Sequence, residues 1–368
     1  MEQILYSGKD SFKEMSTIIN LKKINRLFLV CGNSFDRLGI KDYLYHLGVE
    51  IIRFSNFTPN PDYIDIRKAI DYFNSNNCDA LLAIGGGSAI DVAKCVKNYH
   101  KCNNNEFWKE ESINAELPFI AIPTTSGSGS EATRFAVFYI NGEKQSVNNN
   151  SIIPNFVILD CKLLYTLPDY QKKCTLMDAL CQSIESYWSV NSTDESKKWA
   201  SKAIEQICEN WKNYIFNPND KVLERIMLAS YYAGKAINIS QTTAAHAMSY
   251  KLTSLYGLPH GHAVVLSLPK IWEYMSNNLD KCCDKRGSAY LEQTFNEICL
   301  LMNCKNTTQA IDFFYNVIKI LGLSKPNSED RKKDLEILTK SVNKSRLKNN
   351  PVYLDESILY DIYERILQ

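Results

Sequence analysis

The chain holds five histidines in 368 residues, and three of them, His246, His260 and His262, fall within TTAAHAMSYKLTSLYGLPHGH, residues 242–262. The spacing predicts a helix over most of that stretch, with His246 in its middle and Tyr250 one turn later on the same face. Pro259 and Gly261 bracket His260 on the turn that follows. Upstream, in MDALCQSIESYW, Leu176, Leu180, Ile184 and Trp188 recur as an apolar stripe, while Asp178 and Gln182 project together from another face. One carboxylate, two imidazoles and an amide oxygen form a donor set for a divalent first-row ion such as Fe²⁺ or Zn²⁺. The plainer alternative is a solvated Asp/Gln face with histidines that cap or pack, because spacing alone does not show that the two helices meet.

Two other stretches have the chemistry to hold an anion. In AIGGGSAIDVAK, ending at Lys94, Gly85, Gly86 and Gly87 follow a predicted strand and Ser88 begins a helix, where it reads as the N-cap. Glycines let the backbone approach a phosphate closely, and a helix N-terminus offers free N–H groups to it. A plain strand-to-helix turn is the alternative, but such a turn needs one glycine at most. The pattern is not G-x-G-x-x-G, so an ordinary Rossmann nucleotide site is not expected. PTTSGSGSEAT, residues 123–133, supplies the hydroxyls of Thr124, Thr125, Ser126, Ser128 and Ser130 directly after another strand. Its tight flanks favour an ordered binding loop over a flexible surface tract.

These residues must be positioned by two different kinds of scaffold. In the first half, short apolar runs (RLFLVCG, VEIIRFS, ALLAIGGGS, PFIAIPTT, FVILD) alternate with helical stretches (FDRLGIKDYLYHLG, YIDIRKAIDYFNSN, AIDVAKCVKNY). That alternation predicts a parallel sheet covered by helices. RFAVFYINGEKQSV carries an Asn-Gly pair between apolar runs, which is a hairpin signal. After LLYTLPDYQKK nearly everything has helical period. The expected organisation is an α/β domain over 1–163 and an all-α domain over 164–368, packed directly and enclosing a ligand cleft.

Composition excludes several classes. Lys and Arg total 42 against 41 Asp and Glu, so no overall field attracts nucleic acid or an anionic membrane surface. The apolar runs are too short to span a bilayer, and MEQILYSGKDSFKEM lacks the basic start and apolar core of a signal peptide. The twelve cysteines are scattered, with no C-x-x-C pair, and read as reduced, mostly buried thiols of a cytoplasmic protein.

Taken in order, GGGSAIDVAK, TTSGSGSEAT, LDCKLLYTLP, MDALCQSIESY and HAMSYKLTSLYGLPHGHAV resemble the successive signatures of the iron-containing (group III) alcohol dehydrogenase family. The resemblance implies that family's fold, which is shared with dehydroquinate synthase: an N-terminal nucleotide-binding domain and a helical C-terminal one. It also implies NAD(P) and a divalent metal, with Fe²⁺ expected and Zn²⁺ or Mn²⁺ as alternatives. Gly85, Gly86, Gly87, Ser88 and Asp91 would lie at the cofactor pyrophosphate, and Thr124, Thr125 and Ser128 would help hold the nucleotide. Asp178, His246 and His260 fall on three of the four metal-ligand positions. The fourth, usually histidine, is Gln182 here, a harder and weaker donor that should lower metal affinity. Tyr250 stands where many members have a second histidine assigned to proton relay. With these departures, the phrases ESYWSVNST and INISQTTAAHAMSYKLTSLYGLPHGHAV resemble the branch that reduces phosphonoacetaldehyde to 2-hydroxyethylphosphonate.

On that resemblance the metal acts as a Lewis acid on the aldehyde oxygen, and reduced nicotinamide delivers hydride. Tyr250 either protonates the alkoxide or shapes the pocket. The rivals are a reductase of sulfoacetaldehyde or another short aldehyde, a lyase of the dehydroquinate synthase type, and a metal-free binding protein. Gly32, Asn33 and Ser34 follow the first strand where NAD-specific relatives carry an acid, so both NADH and NADPH should serve, with NADPH favoured. The expected partner is a small anionic aldehyde, and the expected assembly a homodimer. Its anion needs donors. Arg134 and Lys251 are the nearest cations in sequence, with Thr242 and Thr243 adding hydroxyls; His262 is expected to support the centre or the fold.

Overall fold

The alternating runs of the first half form a six-stranded, all-parallel sheet. The protein is described here from a computed structural model covering residues 3–102, 104, 106–109 and 116–368. In chain order the elements are β1 (Ile4–Ser7), α1 (Met15–Lys22), β2 (Arg26–Cys31), α2 (Ile40–Tyr45), β3 (Glu50–Phe54) and α3 (Tyr63–Ser75). They continue as β4 (Ala80–Gly85), α4 (Gly87–Tyr99), β5 (Phe119–Pro123), β6 (Phe135–Ile140), β7 (Glu143–Asn148) and β8 (Phe156–Leu159). The strand order is β1-β8-β5-β4-β2-β3. Both faces of the sheet are buried. In β2, Phe28 and Val30 join the core shared with α3 and α4, whereas Leu27, Leu29 and Cys31 join the opposite core with α1 and α2. A strand buried on both sides reads as an unbroken apolar run, and RLFLVC is one.

From β2 the chain moves outward to β3, then returns to build β4, β5 and β8 on the other side. The reversal lies between β2 and β4, and the crevice at the carboxyl ends of strands beside such a reversal is where open α/β sheets bind ligands. Gly32, Gly85–Gly87 and Thr124 all follow strands at that end. The predicted hairpin is β6–β7, turned by Asn141 and Gly142 at φ 51° and 79°.

Three details depart from the sequence reading. FDRLGIKDYLYHLG is not one helix but a 3-10 turn, Asn33–Arg37, followed by extended Leu38 and then α2. Gly39, costly inside a helix, stands at the break. Ser88 is not the cap of α4, because Gly86 is the N-cap and no side chain caps it. The boundary also moves. The first unit runs to Leu167 and takes back Pro218–Tyr231. Asp220 accepts hydrogen bonds from Lys9 and Tyr165, both at 2.8 Å, and Tyr231 donates to Gln3 at 2.7 Å, so that stretch is tied to the first unit.

The second unit is helical: α5 (Asp169–Trp188), α6 (Asp194–Phe216), the end of α7 (Asp220–Ser240), α8 (Ala244–Tyr256) and α9 (His260–Asn277). α10 (Ser288–Leu301), α11 (Thr307–Leu321), α12 (Arg331–Ser341), α13 (Lys344–Leu347) and α14 (Glu356–Leu367) complete it. α5 is the axis, buried at every position from Cys174 to Trp188. It packs against α6, α8 and α9, and Trp188 meets Trp272 of α9 edge to face at 5.3 Å. Among the described residues, no helix is long and apolar enough to cross a membrane.

Candidate metal centre

Because α5 is enclosed, the Asp178–Gln182 face is not solvated: Asp178 is 5% exposed and Gln182 4%. His246 comes from α8 and is also buried. His260 is not on a free turn but is the first residue of α9, with Pro259 as its N-cap. Gly261 makes this possible. A Cβ there would stand 2.0 Å from the Cys174 carbonyl oxygen and 2.8 Å from Asp178 Cβ. Only glycine lets the start of α9 seat on α5, and that contact delivers His260 to Asp178.

His246 Nε2 lies 3.3 Å from Asp178 Oδ1, and His260 Nε2 lies 3.9 Å from the same oxygen. The donor atoms of Asp178, His246 and His260 all fall within 4.8 Å of one another. Two donors held about 2.1 Å from one ion, at right to tetrahedral angles, stand about 3.0–3.4 Å apart. Asp178 Oδ1, His246 Nε2 and Gln182 Oε1 are buried without a hydrogen-bond partner. Buried polar atoms are normally paired. Asp178 Oδ1 and His246 Nε2, unpaired beside a half-exposed imidazole, therefore fit a cation, and Gln182, one turn along α5 from Asp178, is buried with its Oε1 unpaired.

The tautomers fit as well. Ser249 donates to the His246 carbonyl at 2.8 Å, so its oxygen, 3.3 Å from His260 Nδ1, accepts the Nδ1–H. The Nε2 lone pair of His260 is thereby left for the centre. His246 Nδ1 faces Glu185 Oε2 in the same sense. Burial would raise the Asp178 carboxyl, but the neighbouring His260 and His246, with Gln182, hold it below its ordinary value. For His246, burial works downward and is outweighed by Glu185 and Asp178, which push the imidazole upward. A divalent ion at Nε2 answers the same excess of negative charge.

Tyr250 stacks on His260, the rings 5.8 Å apart and 10° from parallel. His262 plays another part. Its Nε2 donates to the Ser324 carbonyl at 2.9 Å and its Nδ1 accepts from Tyr170 at 2.7 Å, so both nitrogens are committed to the fold. Burial lowers its basicity. The expectation for Thr243 fails. Its hydroxyl donates to Glu185 at 2.7 Å and accepts from Trp188 at 2.9 Å, leaving no hydrogen for a substrate anion. The Thr242 carbonyl accepts from Asn349 at 3.1 Å.

In the first unit the two glycine-bearing loops nest on each other. A Cβ at Gly86 would meet Thr125 Cγ2 at 3.2 Å, and one at Gly87 would meet Ser128 Oγ at 3.0 Å. Thr124 donates its backbone N–H to the Gly85 carbonyl at 3.0 Å, and Ser88 Oγ accepts from the Asn60 N–H at 3.3 Å. Asp91 is turned to the protein, accepting from Ser130 at 2.6 Å and from the Val137 N–H at 3.1 Å. It therefore braces the serine loop. Lys94, which the sequence reading passed over, is fully buried and donates to the Ser130 and Phe135 carbonyls, both at 2.6 Å, and to Thr133 at 3.0 Å. Burial lowers it to about 8 and raises neighbouring Glu131 to about 7. Arg134 spends its Nε on Asn148 at 2.8 Å across the hairpin and lies over the Phe135 ring. Gly32 faces open space.

The first unit is thus a parallel sheet with a glycine turn at its reversal, and the second a helical unit whose Asp178, His246 and His260 could hold a metal ion. Residues 3–161 match the family model "Iron-containing alcohol dehydrogenase" and residues 173–367 match "Fe-containing alcohol dehydrogenase family, C-terminal"; the chain belongs to the iron-containing alcohol dehydrogenase family. It is an oxidoreductase acting on CH–OH groups. Alcohol dehydrogenase 4 of Schizosaccharomyces pombe is 26% identical over 347 residues, covering 90% of this chain and 79% of its own. The NADPH-dependent butanol dehydrogenase of Clostridium saccharobutylicum is 28% identical over 285 residues, covering 74% and 72%. Among solved structures, the sulfoacetaldehyde reductase of Bifidobacterium kashiwanohense in complex with NAD⁺ superposes with a TM-score of 0.88 at 24% identity, covering 99% of this chain and 97% of that one. The iron-containing alcohol dehydrogenase of Thermotoga maritima gives 0.84 at 25%, covering 100% and 98%.

Proposed function

We propose that the protein is an NAD(P)H-dependent, metal-assisted reductase of a short anionic aldehyde, phosphonoacetaldehyde, yielding 2-hydroxyethylphosphonate. The observation that carries this reading is the meeting of unpaired Asp178 Oδ1 and His246 Nε2 with half-exposed His260, with the unpaired Oε1 of Gln182 one turn along α5. A divalent ion held by these four residues supplies Lewis acidity to an aldehyde oxygen, and a reduced nicotinamide supplies the hydride. In this reading substrate approaches from the side of His260, the most exposed of the three cluster residues. Tyr250, stacked on His260, gives a phenolic proton to the alkoxide that hydride addition leaves.

For the anion, α8 offers Lys251, half-buried and without an ion-pair partner among the described residues, and Thr242, two residues before that helix, offers a hydroxyl. Arg134 is the second candidate, with part of its guanidinium already engaged by Asn148. Support for an anionic substrate comes from the sequence phrases around Tyr250. The similarly folded sulfoacetaldehyde reductase, whose substrate also carries a tetrahedral anion, agrees with it. On the cofactor side, Asp36 binds Arg53 through two bonds at 2.9 and 2.8 Å and Lys41 at 2.8 Å. Two cations against one carboxylate, beside a Gly32 that brings no acid, support admission of a 2′-phosphate.

The test is NAD(P)H oxidation with phosphonoacetaldehyde, sulfoacetaldehyde and propionaldehyde, each with Fe²⁺, Mn²⁺, Zn²⁺ or no metal. The reading expects the highest kcat/KM on phosphonoacetaldehyde, and only with metal. Lys251→Ala should lower kcat/KM on the charged aldehydes by on the order of 100-fold and leave propionaldehyde nearly unchanged. A preference for propionaldehyde over both anionic aldehydes would overturn the substrate assignment.

A further inference from the structure

Glu185 has no exposure to solvent, lies one turn beyond Gln182 on α5, and is the carboxylate to which the start of α8 is attached. Its Oε1 accepts from the Thr243 N–H at 3.1 Å, the Thr243 hydroxyl at 2.7 Å and the Ala245 N–H at 2.9 Å, with the His246 N–H at 3.4 Å. α8 has no cap from its own N-cap side chain, so a residue of another helix supplies one. The other oxygen, Oε2, meets His246 Nδ1. We propose that Glu185 is a positioning residue: one carboxylate both ends α8 and fixes His246 as the Nδ1–H tautomer, so that its Nε2 lone pair faces Asp178.

The argument is one of donors and acceptors. Oε1 is surrounded by hydrogen-bond donors, so it must be an acceptor. A carboxylate has a second acceptor, and that oxygen requires a proton on Nδ1. The ring then has a single lone pair, on Nε2, the atom 3.3 Å from Asp178 Oδ1 and without a hydrogen-bond partner. Helix placement and ring tautomer are therefore set by the same group. Such outer partners of ligating histidines are worth about 10–100-fold in metal affinity.

The inference rests on the metal reading above, and Glu185→Gln separates the two. Glutamine is isosteric, and its one carbonyl oxygen must stay on the donors at the start of α8. Its amide N–H₂ then faces His246, which turns Nδ1 into the acceptor and puts the proton on Nε2, where the ion should bind. The probe is Co²⁺, followed by its visible absorption against a competing chelator. Wild type should bind one ion, and Glu185→Gln should bind it about 10–100-fold more weakly with its helical circular dichroism retained. Equal Co²⁺ affinity in both proteins would overturn the positioning role while leaving the metal site standing. No Co²⁺ uptake by wild type would overturn the metal site and this inference with it. A measurement on wild type alone decides the case if the variant does not fold. In ¹⁵N-histidine-labelled, Zn²⁺-loaded protein, His246 should show a protonated Nδ1 and a metal-shifted Nε2, and the reverse assignment contradicts the proposal.

Discussion

The glycine-bearing loops of the first unit and the Asp178–His246–His260 cluster of the second are built on opposite plans. In the first, polar side chains are already satisfied within the protein. Asp91 holds Ser130, and Lys94 holds Ser130, Thr133 and Phe135. What the loops present is backbone: three glycines and a helix start capped by no side chain. In the second, the side chains are the ones left unpaired, at Asp178, Gln182 and His246. A ligand with its own fixed charges, such as a pyrophosphate, needs a shaped array of N–H groups. A bare cation needs acceptors that nothing else has claimed.

The largest expected effect that tests this contrast is at glycine. Gly261→Ala puts a methyl 2.0 Å from a backbone carbonyl, whereas at Gly87 it meets the Ser128 side chain at 3.0 Å. Gly261→Ala should cost about 3 kcal/mol or more and should weaken metal binding on the order of 100-fold, because α9 must lift off α5. Gly87→Ala should cost less, since the new methyl meets a side-chain hydroxyl rather than backbone. Similar melting temperatures for the two variants would mean that the α5–α9 contact does not set the centre.

The next effect concerns buried charge in the first unit. Glu131 is raised from 4.5 to about 7 by burial, so the folded state holds a proton there that the unfolded chain releases. Stability from this group is complete below about pH 4.5 and is lost as pH rises through 7, a change of about 3 kcal/mol. Glu131→Gln does not titrate. Its stability relative to wild type should therefore improve by about that amount between pH 4.5 and pH 8, read from thermal melts at both. A constant difference would place the Glu131 charge in a solvated setting.

Smaller effects should follow at the two ligand sites. Gly32→Asp, entering open space, should reduce kcat/KM with NADPH about 10-fold or more and that with NADH far less. Equal losses would show that position 32 does not face the ribose. Gln182→His should tighten Zn²⁺ binding by about 10-fold, since imidazole is the softer and stronger donor. Unchanged affinity would mean that the unpaired Oε1 does not face the ion.

Much of this was legible in the sequence because it rests on period and on residue type. The unbroken apolar runs such as RLFLVC, alternating with helical stretches, and the Asn141-Gly142 turn signalled the sheet and the hairpin, and Asp178, His246 and His260, which the fold brings together, stood out in the sequence as candidate donors. What was not legible depends on which surfaces meet. Asp178 and Gln182 look solvated on a helix wheel, and only the packing of α6, α8 and α9 around α5 buries them. Glu185 and Lys94 look like ordinary helix-surface charges, and their functions appear only once their partners, 58 and 36 residues away in sequence, are in place. Thr243 had the right chemistry for an anion, but its hydroxyl hydrogen is already donated in a bond to Glu185. β1 was missed because a four-residue edge strand carries little pattern.

The central claim is that Asp178, Gln182, His246 and His260 bind one divalent ion that the reaction requires. The most direct test is elemental analysis of wild type and His260→Ala after reconstitution with Fe²⁺ and desalting, with turnover measured on the same samples. The account predicts one ion per wild-type chain, and little metal or aldehyde reduction in a His260→Ala protein of unchanged helical content. A His260→Ala chain that keeps a full equivalent of metal and full turnover would contradict it.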